Sequence, residues 1–446
     1  MLNDKTDEGL KRVIDLRGLT IAIVTCIIGA GIFVLPAIVR IELGAFAVFG
    51  YVFCGIMMAA IMLCYAEIGT RVTTSGGSYA YVEAAFGSLP GYIINWLYFF
   101  GWSILGSAAL MNIIADSLGV LFPVFSNQLV RGFFFFVLTV FMILLNVRGA
   151  RQGMGFVKFI TIIKLLPLLG IIIFGFGYVK STNLQWENLP TLKTFGSSML
   201  VLFYAFAGFE TSLSASGEIK NPNRTIPLGI ICGGVIVLII YMLLQTVIQG
   251  TLGNNMAVFK DAPLAAVAQK IIGPAGATIL LLTAALSCFG NVTIDILATP
   301  RLLFAGANNG LFPKFLGKVH PKFATPYLAV ITYALLIFIF SISGSFKQLA
   351  ILASAAILLV YLAVILATIK LRSNKQDATE KTFRAPGGLV TPVIGIASII
   401  WLLTSLNKWE ILSTLIFIAI ICMIYFVTKK FKKEKIAVEP SMEYLK

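Results

Sequence analysis

Apolar runs long enough to cross a bilayer follow one another along the whole chain, and two of them are interrupted by small residues. Twelve such runs cover residues 17–39, 44–68, 90–115, 129–147, 155–178, 194–216, 227–250, 273–300, 325–343, 348–369, 388–407 and 411–428. About twenty helical residues span roughly 30 Å of hydrocarbon. The first run contains Gly29-Ala30-Gly31, and the sixth contains Ala207-Gly208 just before Glu210. Glycine weakens a helix because ordering it removes the most backbone freedom. In lipid, the amides and carbonyls freed by a break must find partners within the protein. Two breaks at corresponding places in a repeat predict a binding site near the bilayer midplane, built from backbone groups and helix-end dipoles.

Composition excludes a large soluble protein. The chain is 59% hydrophobic and 12% charged over 446 residues, whereas soluble domains are about 25% charged. Lysine and arginine cluster at both termini and in the loops bearing Arg148 and Arg151, Lys220 and Arg224, Lys314 to Lys322, and Lys370 to Arg384. With twelve spans, the positive-inside rule predicts a multi-pass plasma-membrane protein with both termini cytoplasmic. Basic loops facing anionic lipid account for the net charge of +15 without a nucleic-acid partner. The first run is full length and lacks a small-residue cleavage site, so it is expected to serve as a span. All six cysteines lie inside apolar runs, with no CxxC spacing, and His320 is the only histidine. The sequence therefore predicts no metal site, no disulfide framework and no cofactor. It has no phosphate-binding Gly-rich loop ending in Lys-Ser/Thr.

An ordered set of motifs narrows the reading. Ile28-Gly29-Ala30-Gly31-Ile32-Phe33 is followed by Tyr65-Ala66-Glu67 and Ser75-Gly76-Gly77-Ser78-Tyr79-Ala80-Tyr81. Lys164-Leu165-Leu166, Phe206-Ala207-Gly208-Phe209-Glu210, Glu218-Ile219-Lys220-Asn221-Pro222 and Arg224-Thr225-Ile226-Pro227 come next. Arg301-Leu302 and Asn309-Gly310-Leu311-Phe312-Pro313 close the set. The chain resembles the amino acid–polyamine–organocation superfamily of secondary transporters, in its amino acid permease branch. The resemblance implies an all-α polytopic membrane protein of twelve transmembrane helices. Ten form a five-plus-five inverted-repeat core with helices 1 and 6 broken, and two more follow. The expected organisation is a cytoplasmic segment 1–16, repeats at 17–178 and 194–369, helices 11 and 12 at 388–428, and a basic cytoplasmic tail 429–446. The implied function is secondary active transport of amino acids, not an enzymatic reaction. Proton-coupled, sodium-independent symport by alternating access is the first expectation, with protons as the coupling ion. The alternative is exchange of a cationic amino acid for an amine. Expected partners are the amino acid substrate and membrane lipids, with the chain a monomer or homodimer.

Residue roles follow from the breaks. Small residues at 29–31 let backbone approach a ligand, and free amides at the start of a half-helix favour an anion. The bland alternative is that these glycines only allow tight helix packing. The resemblance gives the substrate carboxylate to backbone at Ala30 and Gly31, and gives an Ile27 carbonyl to its amine. Carbonyls released near Tyr204, Ala205 and Ala207 are expected to accept from the same ammonium. Tyr204 and Phe206 are candidates for an aromatic lid, against the alternative of packing rings. Lys164 lies ten residues into its run, about 15 Å along a helix, where a buried ammonium is costly. The resemblance places Lys164 where sodium-coupled relatives hold Na⁺. The ammonium itself is expected to bridge spans 1 and 8. Glu210 has either a protonation or gating role, or caps backbone amides of the half-helix. Glu67 is expected to pair with Arg71, its i+4 neighbour. Asp295, mid-run, has four candidate roles: pairing with a cationic substrate side chain, pairing with Lys164, carrying a proton, or structural pairing elsewhere.

Overall fold

The computed structural model describes residues 12–29, 31–74, 76–148, 153–185, 189–308, 313–323, 325–373 and 382–438. The expected contact Ala30, most of the Asn309-Gly310-Leu311-Phe312-Pro313 motif and residues 1–11 and 439–446 of the termini lie outside the described residues.

Apolar runs become helices because hydrocarbon offers backbone groups no other donors or acceptors. In chain order these are α1 (Leu16–Ile27), α2 (Gly31–Leu43), α3 (Ala47–Arg71), α4 (Ser78–Phe86), α5 (Ser88–Trp96) and α6 (Leu105–Leu121). A π-helical stretch, Leu97–Ile104, joins α5 to α6. Next come α7 (Gln128–Val147), α8 (Gly153–Gly175), α9 (Leu192–Phe206), α10 (Pro222–Leu252), α11 (Pro263–Ile272) and α12 (Pro274–Ala298). The last are α13 (Pro300–Asn308), α14 (Tyr327–Ser343), α15 (Phe346–Ser373), α16 (Val390–Thr404) and α17 (Lys408–Val438). The described residues form no sheet; the one β-type bridge pairs Ile14 with Ile219.

The protein is an all-α, multi-pass membrane bundle. Nine helical stretches among the described residues are long and apolar enough to cross a bilayer. One of them, Gly31–Arg71, holds two consecutive segments that turn at Gly44, whose φ is +61°. The remaining expected spans fall on shorter apolar helices: Leu16–Ile27, Tyr327–Ser343 and Val390–Thr404. Sequence reasoning missed the short helices α4, α11 and α13, which lie between or beside the long runs.

Small residues set how closely the helices meet, as is usual in lipid, where apolar burial alone gives little drive. A methyl group added at Gly229 or Gly233 of α10 would lie 2.7 Å from Leu19 or 2.5 Å from Ile23 of α1. One at Gly101 would lie 2.3 Å from Ala356 of α15. Large apolar side chains also cover the outside: Phe133, Leu166, Ile173 and Phe174 are all about two-thirds exposed. An apolar exterior of that kind is stable against lipid and not against water.

Candidate functional site

Helix α1 stops at Ile27 and α2 starts at Gly31, so the last carbonyls of α1 lose their intrahelical donors. Side chains from two other helices supply replacements. Lys164 Nζ of α8, fully buried, donates to the Thr25 carbonyl at 2.8 Å and to the Ile28 carbonyl at 2.6 Å. The Tyr241 hydroxyl of α10 lies 3.0 Å from the Ile27 carbonyl and 2.9 Å from that of Ala205, its single proton shared between them. The Gly29 amide also turns back to the Ile27 carbonyl at 2.7 Å. Thr25 and Thr161 hydroxyls meet at 2.9 Å and tie α1 to α8 a second time.

Helix α9 stops at Phe206. Gly208 follows with φ +113°, and a Cβ there would sit 2.8 Å from the Cys26 carbonyl. Left-handed backbone and this close approach both demand glycine. The Gly208 amide donates to Glu210 Oε2 at 3.0 Å, and the Tyr361 hydroxyl of α15 donates to the same oxygen at 2.6 Å. The two breaks lie side by side: a Cβ on Gly31 would be 3.2 Å from Ala205.

Between them opens a cavity of about 330 Å³, within the ~300–1,000 Å³ range of small-molecule sites. Ile27, Gly29 and Gly31 line it from the first break, and Tyr204, Ala205, Ala207 and Gly208 from the second. Tyr98, Trp102, Ser103 and Ser107 enter from the π-helical stretch and α6, and Asn291 and Asp295 from α12. The cavity extends to Ala22 and Ile14, toward the N-terminal end of α1. At the opposite end, Glu42 at the end of α2 joins Lys347 of α15 at 2.5 Å and accepts from Ser198 of α9 at 2.7 Å. Nearer the cavity, the Tyr204 ring packs edge-on against Phe346 at 5.8 Å, and its hydroxyl donates to the Gly106 carbonyl at 3.0 Å.

Several expected roles are redirected by this geometry. Phe206 turns away from the cavity into a second, apolar one beside Met58 and Met62, with its ring 5.2 Å from that of Tyr241. Of the two candidate lid rings, only Tyr204 therefore lines the first cavity. The expected bridge from Lys164 to spans 1 and 8 reduces to its two bonds with span 1. Lys164 does not pair with Asp295, because carbonyls already hold its ammonium. Glu210 is buried and caps the Gly208 amide, the second of its two expected roles. Glu67 pairs with Arg71 at 3.3 Å as expected. It pairs more closely with Arg372 of α15, at 2.5 Å, and accepts from the Ala385 amide at 2.9 Å.

Tyr241, Ser103, Ser107, Tyr333 and Asn291 were not singled out from the sequence. Each is a polar side chain inside an apolar run, which is a weak signal in spans where hydroxyls often bond their own helix backbone.

A membrane bundle whose two helix breaks converge on one cavity has the arrangement expected of a transporter-type binding site. The sequence identifies the lineage: residues 14–431 match the family described as Amino acid permease, and the chain belongs to it. It is 28% identical to the methylthioribose transporter of Bacillus subtilis (strain 168), over 94% of each chain. It is also 28% identical to the branched-chain amino acid permease BcaP of that organism, over 94% of this chain and 93% of the relative. Identity to its serine/threonine exchanger SteT is 27%, over 90% and 92%. These relatives are transporters, permeases and exchangers, not enzymes.

Proposed function

We propose that the protein is a secondary active transporter of amino acids that works as a proton-coupled, sodium-independent symporter by alternating access. The observation that carries the reading is the convergence of both breaks on one cavity, lined by residues of each. Backbone amides from Gly31 onward suit a carboxylate. The Ile27 and Ala205 carbonyls already receive Tyr241, but each has a second lone pair for an ammonium. Recognition by backbone groups selects what all α-amino acids share. The relatives' names range from an amino acid permease to a methylthioribose transporter, so the amino acid class rests on the breaks and not on kinship alone.

The wider architecture follows the same reading. Spans 17–178 and 194–369 form two inverted five-helix repeats, and 388–428 supplies helices 11 and 12. Both termini, with the segment 1–16 and the tail 429–446, face the cytoplasm. The cavity then opens inward past Ile14, while Glu42, Ser198, Lys347 and Tyr204 close the outer end. Lys164 takes the position of a sodium ion and couples transport to protons, and Glu210 holds the second break.

Counterflow in proteoliposomes tests the substrate assignment. Free L-amino acids should exchange, while their amides and N-acetyl derivatives should fail. Unchanged transport of both blocked forms would overturn it. A second reading, obligate exchange of a cationic amino acid for an amine, is favoured by the acidic Asp295 at the cavity. Net uptake into vesicles that contain no internal substrate, driven by an inward proton gradient, would exclude it.

A further inference from the structure

We infer that Asp295 makes the side-chain end of this cavity selective for amino acids with a cationic side chain. The inference rests on the amino acid transport reading of the same site and names its substrate class. Asp295 sits one helical turn beyond Asn291 on α12, and both line the cavity. Its carboxylate is caged by hydroxyls from three directions. Ser103 reaches its two oxygens at 2.7 and 2.9 Å, Ser107 reaches one at 2.6 Å, and Thr299 reaches one at 2.7 Å. Tyr333 of α14 donates to it as well. Four hydroxyls, each bringing one proton, match an acceptor-only carboxylate.

That cage satisfies hydrogen bonds but brings no positive charge. Among the described residues, no ion pair reaches Asp295. Lys164, the nearest expected counter-ion, is committed to the Thr25 and Ile28 carbonyls. Among the described residues lining the cavity, Asp295 is the one with a formal charge. A negative charge in low dielectric without a cation is costly, and a cationic ligand relieves the cost. The distance is also suitable. A Cβ on Gly29 would lie 3.2 Å from the Asn291 amide, so Asn291 marks the end of the cavity nearest the first break. Asp295 is one turn further, about 6 Å along the helix axis. An α-amino acid anchored at the breaks and carrying an ammonium or guanidinium several carbons away spans that interval. An acidic side chain would meet a like charge.

The test compares L-arginine with L-citrulline, which has nearly the same shape and no side-chain charge, and includes L-leucine as a smaller neutral probe. Uptake into proteoliposomes and ligand-induced thermal stabilisation of the purified full chain are both measured. Wild type should favour arginine over citrulline by about tenfold or more, as expected for one charge-assisted contact. Asp295→Asn keeps the shape and should erase that preference, with arginine uptake falling about tenfold or more relative to leucine uptake. Ser107→Ala removes one hydroxyl, keeps the charge and should retain the arginine preference, so it tests the idea even where Asp295→Asn folds poorly. Citrulline or leucine bound while arginine is rejected would overturn this inference alone. So would equal loss of arginine and leucine in Asp295→Asn, which would mark Asp295 as a proton carrier or as the α-ammonium site. No uptake or stabilisation by any amino acid would overturn the transport reading and this inference with it.

Discussion

Lys164 holds two carbonyls that a broken helix leaves without donors. Its place ten residues inside an apolar run was legible in the sequence, because burying an ammonium there is expensive unless something accepts its protons. What accepts them was not legible: Thr25 and Ile28 lie 139 and 136 residues away. Lys164→Ala would strand both carbonyls at a cost of about 1–3 kcal/mol each. Uptake should fall by about tenfold or more, and the pH dependence of any remaining uptake should flatten. Lys164→Met keeps the volume and should give the same result. Proton-gradient-driven uptake in sodium-free buffer is the measurement. A mutant with wild-type rate and pH profile would return Lys164 to a purely structural role, and uptake that required sodium would overturn its coupling role.

At the scale of elements, the end of α9 depends on one residue that can adopt the conformation needed. Gly208 combines φ +113° with a 2.8 Å approach to the Cys26 carbonyl. Gly208→Ala should therefore cost about 1–3 kcal/mol of backbone strain, plus the displacement of α1 at its break. Gly87 supplies a control: its φ is +87°, but a Cβ there meets nothing within 4 Å. Both alanine variants should lower the unfolding temperature in detergent, and Gly208→Ala should also lose most uptake per folded molecule. Equal specific uptake in the two variants would mean that the second break tolerates rearrangement. The π-helical stretch 97–104 shows where element-level reading stopped. Hydropathy marks 90–115 as one continuous run, yet the local change of helical pitch brings Tyr98, Trp102 and Ser103 to the cavity. π-helical turns of this kind often occur at functional sites.

Across the whole molecule, the cavity reaches Ile14 at one end, and Glu42 ties α2 to α9 and α15 at the other. The Glu42–Lys347 pair is partly exposed, at 19% and 48% of side-chain surface. Such a pair is worth about 0–1 kcal/mol, which suits the outer closure in the proposed alternating-access cycle. Glu42→Gln should shift the population toward outward-open states by about two- to fivefold. Cys26 lines the cavity and offers a native reporter. Its labelling by a membrane-impermeant thiol reagent added outside right-side-out vesicles should speed up in Glu42→Gln and return toward wild type with substrate-free Glu42→Asp. No change in external labelling would mean that Tyr204 and Phe346, not the ion pair, keep the outer end shut.

The sequence by itself determined the solvent and the class of structure. Long apolar runs require helices in lipid, and Gly29-Ala30-Gly31 and Ala207-Gly208 mark where two of them are weakest. Those are local properties of backbone and transfer energy, and they remain readable without knowing any neighbour. The partners of the freed groups were decided only by tertiary structure. Tyr241 serves both breaks at once, Phe206 faces away from the cavity that Tyr204 lines, and Asp295 is caged by Ser103, Ser107, Thr299 and Tyr333 instead of pairing with Lys164. Each of these outcomes depends on helix rotation and, the Thr299–Asp295 bond at the end of α12 aside, on contacts between residues tens to hundreds of positions apart. In a span apolar on every side, hydropathy carries no signal for that rotation, because lipid and protein interior reward the same side chains.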